Sequence, residues 1–282
     1  MNSSNPDQYA VIGNPISHSQ SPRIHSLFAV QTGQNLEYQA ILAEPGHFPS
    51  TVNAFREHGG RGLNVTVPFK QEAWVYADLL STRAERARSV NTLIFQEDGV
   101  AFGENTDGIG LVKDIKDNHN LELARQRILL LGAGGAARGI LQPLLNESPA
   151  RLVIANRTPT KALELALMFT DLGSVTGCGL DELAGQRFDV IINATAAGLS
   201  DSVPALPDGV LASDGWCYDL MYGDEPTAFV RWARQQGAAK WLDGLGMLVE
   251  QAAESFLLWR GIRPDTQLVI ATLRNIAGRG SV

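Results

Sequence analysis

Cysteine is scarce in this chain: Cys178 and Cys217 are the only two among 282 residues, and they show no C-x-x-C spacing. That argues against a disulfide framework and a redox pair, and it predicts two free thiols in a reducing compartment. The histidines His18, His25, His47, His58 and His119 form no H-x-x-x-H or H-E-x-x-H pattern, so no metal site is expected. No apolar stretch approaches the ~20 residues that a bilayer-crossing helix needs. Met1 to Gln8 is polar where a signal peptide would carry its apolar segment. Positive charge is also short, with 23 Lys and Arg against 30 Asp and Glu, a net charge of −7. With no basic cluster, nucleic acid is not an expected partner, although a pocket can still be locally basic. The expectation is a cytoplasmic, metal-free protein with neither membrane nor nucleic-acid partners. At 44% hydrophobic and 19% charged the composition is that of an ordinary globular protein, and its length fits two domains better than one.

Glycine is placed where it carries meaning. Residues Arg127 to Arg138 read R-I-L-L-L-G-A-G-G-A-A-R. Ile128 to Leu131 predict a strand buried on both faces, and Ile140, Leu141, Leu144 and Leu145 predict a helix running over 136–146 after the glycines. Strand, glycine turn and helix together make the spacing G-x-G-x-x-[G/A] informative, here Gly132, Gly134 and Ala137. Gly132 permits the tight turn, and Gly134 lets a pyrophosphate approach the backbone. The small Ala137 lets helix and strand pack closely while the helix N-terminus faces the anion. The expectation is a dinucleotide site.

The next predicted strand, Arg151 to Ala155, ends in Asn156-Arg157-Thr158. A site for NAD normally carries Asp or Glu here, bonded to the ribose 2′-hydroxyl. No carboxylate is present. Arg157 offers a planar cation suited to a phosphate, with Thr158 and Lys161 close by. NADP is therefore expected over NAD.

Elsewhere, alternating patterns predict strands at Tyr9–Gly13, Leu36–Leu42, 62–68, 92–96 and 100–103, then at 128–132, 151–155, 188–193 and 216–220. Helices are predicted from Pro22 to the stop at Gly33, over 48–58, 71–80, 83–88, 107–118, 159–171 and 224–236, and lastly over 244–259 and 266–276. Alternating strand and helix implies mostly parallel sheets covered on both faces. No internal repeat is visible.

Polar side chains gather where such folds bind ligands. Ser19 and Ser21 are two apart, so on extended backbone both hydroxyls project to one side, beside a helix N-terminus and suited to a carboxylate. Ser21 could equally be a helix cap. In N-V-T-V-P-F-K, alternation puts Asn64 and Thr66 on one face at the end of a strand, with Lys70 just beyond. Asn91-Thr92 and Asn105-Thr106-Asp107-Gly108 read alone as cap or turn chemistry.

With these motifs in view, the chain resembles the shikimate dehydrogenase family from Tyr9 to about Pro264. The resemblance is carried in order by G-N-P-I-S-H-S-Q-S-P, N-V-T-V-P-F-K, V-N-T-L, N-T-D-G, G-A-G-G-A-A-R-G, A-N-R-T, N-A-T-A-A-G and D-G-L-G-M-L-V-E-Q. It implies an α/β protein with an N-terminal α/β substrate-binding domain over 1–105, completed by helices within 242–282. It also implies a Rossmann-type doubly wound parallel-sheet NADP domain over 106–241, with a cleft between the two. By the same resemblance Lys70 and Asp107 are catalytic. Ser19 and Ser21 bind the substrate carboxylate, and Asn64, Thr66, Asn91 and Gln251 its hydroxyls, with Tyr222 near the carboxylate. Gly132, Ala133, Gly134, Gly135 and Ala136 match the phosphate loop, and Asn156, Arg157 and Thr158 the 2′-phosphate clamp, beside Lys161. Gly244 and Met247 would lie by the nicotinamide. Leu220 stands where the family often has Met, and Thr195 begins a T-A-A-G where many members have Ser-Ser or Pro after the Thr.

The implied reaction is reversible reduction of 3-dehydroshikimate to shikimate by NADPH, in the pathway to aromatic amino acids. Lys70 would protonate the oxygen as hydride arrives, held in place by Asp107. Three alternatives stand beside it. One is a quinate/shikimate dehydrogenase with relaxed use of NAD and NADP. Another is a non-catalytic sensor, which the presence of both Lys70 and Asp107 disfavours. The third is a methylene-tetrahydrofolate-type dehydrogenase, which leaves Ser19 and Ser21 unexplained. Monomer and homodimer remain equally open.

Overall fold

The computed structural model of the chain describes residues 5–195 and 202–276. The chain divides into two compact units: residues up to Gly110 joined by Val249–Thr272, and Leu111–Leu248 joined by the segment from Leu273.

The first unit runs through β1 (Asp7–Gly13), α1 (Ser21–Thr32), β2 (Leu36–Leu42), α2 (Phe48–Glu57) and β3 (Gly60–Val65). It continues with α3 (Lys70–Tyr76), β4 (Leu79–Leu80), α4 (Thr82–Ala87), β5 (Thr92–Phe95), β6 (Ala101–Glu104) and the start of α5 (Asp107–Lys113). Pro22 sits in the first turn of α1, and Gly33 ends that helix in the left-handed conformation, φ 65°, donating its N–H to the last carbonyls. The strands form one sheet in the order β2-β1-β3-β5-β6-β4. Pairing is parallel except along β3–β5 and β5–β6. The β5–β6 exception follows from chain length: the short turn at Asp98-Gly99 can only return the chain as a hairpin. Ala10, Ile12, Leu63 and Val65 pack with Phe48, Val52, Phe69 and Leu93 in the core.

Two expectations change here. The helix predicted over 71–80 stops at Tyr76, because Asp78 pairs with Ala101 through backbone and side chain and draws β4 onto the sheet. The strand predicted over 62–68 stops at Val65. Thr66 to Phe69 form a turn closed by the Phe69 N–H on the Thr66 carbonyl, so Thr66 and Val67 do not continue the alternation, and Val67 is exposed.

His25 on α1 is buried, its ring stacked on Tyr38 at 4.1 Å and 4°. Burial pushes its pKa down to about 3, with the nearby Asn64 amide opposing. The folded chain therefore refuses a proton that the unfolded chain accepts below its ordinary value of 6.5. The stability this confers is complete above that value and is lost progressively as pH falls toward 3. At about pH 5 the loss amounts to roughly 2 kcal/mol. A His25→Phe variant is expected to show a flatter dependence of its urea midpoint on pH between neutrality and about pH 5. An unchanged slope would assign the proton to another group.

The second unit holds β7 (Arg127–Leu131), α6 (Gly135–Asn146), β8 (Arg151–Ala155), α7 (Pro159–Leu167) and β9 (Val175–Cys178). Then come β10 (Phe188–Asn193), β11 (Leu211–Asp219), α8 (Ala228–Gln235) and β12 (Lys240–Leu242); α9 (Leu245–Arg260) and α10 (Thr266–Ile276) close the chain. Its sheet is entirely parallel, in the order β12-β11-β10-β7-β8-β9. This is the doubly wound order, with its reversal at β7. Ile128, Leu130, Ile154 and Ile192 face one apolar cluster, and Leu129, Leu131, Val153 and Ile191 the other. Each such side chain contributes on the order of 1.5–3 kcal/mol by leaving water. The short strands β9 and β12 were not anticipated, α7 is four residues shorter than the predicted 159–171, and α8 starts at Ala228 rather than 224. The helix predicted over 107–118 is α-helical to Lys113 and then widens into a π-helical turn at Asp114–Asn118. There Asp114 accepts the Tyr218 hydroxyl at 2.6 Å.

Candidate functional site

In the first unit the polar residues converge on the C-terminal end of β3. Lys70 opens α3, and its Nζ stands 2.5 Å from Asp107 Oδ2, with the lysine side chain 18% and the aspartate 7% exposed. Asp107 begins α5, where the Asn105 side chain caps its N–H at 3.1 Å. Its second oxygen, Oδ1, accepts the Asn91 amide at 2.8 Å. The carboxylate is thus fixed at both oxygens, and the ammonium is aimed by a group that cannot turn.

Asn91 is itself saturated. Its Nδ2 also meets Thr106 Oγ1 at 2.9 Å and Gln251 Oε1 at 3.2 Å, while its Oδ1 accepts from the Thr106 N–H and the Thr92 hydroxyl, both at 2.9 Å. Asn64 is held as firmly. Its Oδ1 accepts the Tyr38 hydroxyl at 2.7 Å, and its Nδ2 faces Ser255 Oγ at 3.0 Å, Thr92 Oγ1 at 3.2 Å and the Asn91 carbonyl at 3.3 Å. Lys70, Asp107, Asn91, Gln251 and Asn64 are therefore brought into one hydrogen-bonded network. Among the described residues, no bond joins Thr66 or Ser19 to it.

The paired serines need a correction. They do not share an extended stretch: the Ser19 N–H closes a turn on the Ile16 carbonyl at 3.0 Å, Gln20 is already helical at φ −82° and ψ −8°, Ser21 is the first residue of α1, and the Ser21 N–H donates to Ser19 Oγ at 3.3 Å. Ser19 thus serves the helix start as an acceptor. A hydroxyl that accepts one bond keeps its own hydrogen to donate, so both serines can still serve a carboxylate.

Tyr38, Thr92, Thr106 and Ser255 belong to this network and were not anticipated as site residues. Thr92 and Thr106 lay inside quoted motifs. Ser255 follows Gln251 by four residues, a spacing that puts both on one face of a helix. Tyr38 lies in a strand whose alternation carried no such signal. A surface cavity of about 660 Å³ around Arg56, Gly60, Arg61 and Phe95 lies at the opposite end of β3 and shares none of these residues.

In the second unit the glycine turn lies at the reversal point of the sheet. Gly132 adopts φ 103°, where a side chain would be strained, and a Cβ there would stand 3.0 Å from the Ala194 carbonyl. Ala133 is buried, while a Cβ on Gly134 would meet nothing within 4 Å. Gly135 and Ala136 begin α6, whose N-terminus has no side-chain cap, and Ala137 is fully buried. Open approach at Gly134 together with uncapped N–H groups suits a pyrophosphate. Asn156 donates to the Thr158 carbonyl at 3.0 Å, shaping the turn after β8. Arg157 and Lys161 are exposed, and neither forms an ion pair among the described residues. Two unpaired cations at that strand end fit the additional phosphate of NADP.

At the ends of β10 and β11, Thr195 donates to Asn193 Oδ1 at 2.7 Å, and Asn193 Nδ2 to Asp219 Oδ1 at 3.0 Å. The Thr227 hydroxyl donates to Asp219 Oδ2 at 2.6 Å. Burial pushes the Asp219 carboxyl above its ordinary range, with the Thr227, Met221 and Asn193 bonds opposing. Leu220 and Tyr222 are half-buried just beyond β11, and Met247 is buried in the first turn of α9. Gly244 packs its Cα against Leu220: a Cβ would stand 2.1 Å from that residue's carbonyl oxygen. The Ala196-Ala197-Gly198 part of the T-A-A-G motif lies outside the described residues.

Comparison with known proteins gives three family matches along the chain. Residues 11–93 match the shikimate dehydrogenase substrate binding domain, 112–200 the shikimate / quinate 5-dehydrogenase family, and 244–274 the shikimate 5′-dehydrogenase C-terminal domain. The chain is 62% identical over 268 residues to the shikimate dehydrogenase (NADP(+)) of Methylococcus capsulatus, covering 95% of this chain and 96% of that one. Among solved structures it resembles an Ael1 enzyme from Pseudomonas putida, with a TM-score of 0.87, 48% identity and coverage of 95% and 98%. It also resembles the shikimate 5-dehydrogenase of Thermus thermophilus in complex with NADP(H) and shikimate, with a TM-score of 0.84, 33% identity and coverage of 95% and 99%.

Proposed function

This chain belongs to the shikimate dehydrogenase family and is an NADP-dependent oxidoreductase of the shikimate pathway; from that premise we propose that Lys70, held by Asp107, manages the proton of its reaction. Bound NADPH supplies the hydride for reduction of the ring ketone, and bound NADP takes it back from shikimate. The rest falls to side chains of this protein. The Lys70 ammonium donates to the reacting oxygen, stabilises the negative charge that grows there, and delivers the proton. In the oxidising direction it takes that proton back. Asp107 is the residue that orients it, and Asn91 orients Asp107. The observation that carries this reading is the Asn91–Asp107–Lys70 chain of bonds, at 2.8 and 2.5 Å.

The same proposal assigns the remaining positions. Ser19 and Ser21 hold the substrate carboxylate through their hydroxyl hydrogens. Asn64 has both amide hydrogens engaged by the protein, so it meets a ring hydroxyl as an acceptor, beside Thr66 and Gln251. Tyr222 is assigned to the carboxylate. The first unit takes the ring acid and the second the dinucleotide, with Gly132 to Ala136 for the pyrophosphate and Thr195, Leu220, Gly244 and Met247 toward the nicotinamide. Two free buried thiols and the absence, among the described residues, of a helix long and apolar enough to cross a membrane support a cytoplasmic enzyme. Initial rates of NADPH formation with shikimate and with quinate, each with NADP and with NAD, test the whole reading. Shikimate with NADP should give the highest kcat/KM, and a preference for quinate or NAD would overturn it.

The 2′-phosphate clamp has its own test. Arg157→Ala removes the planar cation while leaving the exposed strand end intact. The KM for NADP is expected to rise by roughly tenfold to a hundredfold, the worth of a charge-assisted bond, with little change in the KM for NAD. Equal effects on both cofactors would show that Arg157 does not read the 2′-phosphate.

A further inference from the structure

We propose that Tyr38 is a positioning residue for the ring acid, fixing from below the side chains that grip it; this rests on the reading of Ser21 and Asn64 as substrate-binding. The observation is a buried hydroxyl placed between those two residues. The Tyr38 ring is held by the parallel His25 ring at 4.1 Å and by Trp259 at 6.3 Å, so its oxygen is kept in one place. That hydroxyl donates to Asn64 Oδ1 at 2.7 Å, and the Ser21 hydroxyl lies alongside it.

The direction of each bond follows from what the partners can do. The Asn91 carbonyl only accepts, so the face of the Asn64 amide turned toward it must be the NH₂. Oδ1 therefore faces Tyr38, and Tyr38 must be the donor. Its single proton is then committed to Asn64 and none is offered to Ser21. A bond between the Tyr38 and Ser21 oxygens therefore uses the Ser21 proton, which a carboxylate, the stronger acceptor, draws to itself on binding. Burial raises the Tyr38 phenol well above its ordinary value, so the donor persists across the working range of pH. Without the hydroxyl, the buried Asn64 Oδ1 loses the donor that fixes it.

Tyr38→Phe keeps the ring and its stacking and removes only the donor. The KM for shikimate at saturating NADP, and the calorimetric Kd for shikimate alone, are expected to rise by roughly tenfold. The KM for NADP should hold within twofold and kcat should change less than KM does. On an Asn64→Ala background the same substitution should add almost nothing, because Tyr38 acts through Asn64. A Tyr38→Phe protein that melts earlier yet binds shikimate like the parent would overturn the proposal and leave Tyr38 a packing residue. So would an additive loss in the double variant. If Tyr38→Phe does not fold, 3-fluorotyrosine at position 38 retains the hydroxyl. Its fluorine resonance should move on adding shikimate and not on adding NADP, and no movement with shikimate would overturn the proposal. Ser21→Ala and Asn64→Ala measured in parallel separate the two claims. If neither weakens shikimate binding, the substrate assignment itself fails. If both do while Tyr38→Phe does not, only the role of Tyr38 is lost.

Discussion

Replacing Lys70 with alanine is expected to lower kcat by about two to four orders of magnitude, with a much smaller rise in the KM for shikimate. The asymmetry follows from when the interaction is made. In the ground state the ketone oxygen carries only a partial charge, and one ammonium contact adds little to binding. As hydride arrives the oxygen becomes an alkoxide, and the same ammonium first stabilises and then protonates it. An interaction that strengthens toward the transition state appears in kcat. The geometry sharpens the expectation, since Asp107 is held by Asn91 on the side away from Lys70 and cannot follow an intruding water. An Asp107→Asn variant keeps the shape and removes the charge that aims the lysine, so it should lose kcat by a smaller factor. If Lys70→Ala retains kcat and only KM rises, Lys70 is a binding residue and the proton comes from elsewhere.

Gly244→Ala is expected to destabilise the fold by about 1–3 kcal/mol, a lower melting temperature by roughly 2–4 °C for each kcal/mol. An added Cβ would stand 2.1 Å from the Leu220 carbonyl oxygen, 2.6 Å from its carbon and 3.2 Å from the Asp219 carbonyl oxygen. All three are backbone atoms at the end of β11, so no rotamer change relieves the overlap and the first turn of α9 must shift. Gly244 also donates to the Met221 carbonyl at 3.0 Å and accepts from the Leu248 N–H at 2.9 Å. The shift would pass to Met247, and the KM for NADP should rise together with the loss of stability. A variant that melts with the parent would show that close packing is not why glycine stands here.

The second sheet was largely legible in the sequence because its strands are short runs of Ile, Leu and Val buried on both faces, and the glycine turn marks where they reverse. The edge strands β9 and β12 were not, because V-T-G-C and K-W-L are too short and too mixed to show periodicity. In the first unit β4 escaped notice because two residues captured by a sheet edge leave no pattern of their own. The site residues were legible as motifs but not as a network. Asn91 reads as a turn residue until its six bonds are seen, and Tyr38 reads as one more aromatic in a strand. The two-residue spacing of the serines reads as extended backbone because the sequence does not show where the loop after the first strand bends into α1. The start of α1 instead claims Ser19 Oγ as an acceptor for the Ser21 N–H. Local hydrogen bonding outweighed the two-residue alternation there.

The first unit is assembled from both ends of the chain, with Val249–Thr272 supplying Gln251, Ser255 and Trp259 to a sheet whose last strand ends at Glu104. During synthesis the ribosome releases Asn64, Asn91 and Thr92 well over a hundred residues before the groups that satisfy them. Until then a nascent chain holding only the leading half carries unmet donors beneath its sheet and bare apolar surface where α9 belongs. The contiguous second sheet is free to form first. Such a chain is a natural client for a holdase, and truncation ahead of residue 245 should yield an insoluble product rather than a smaller working module.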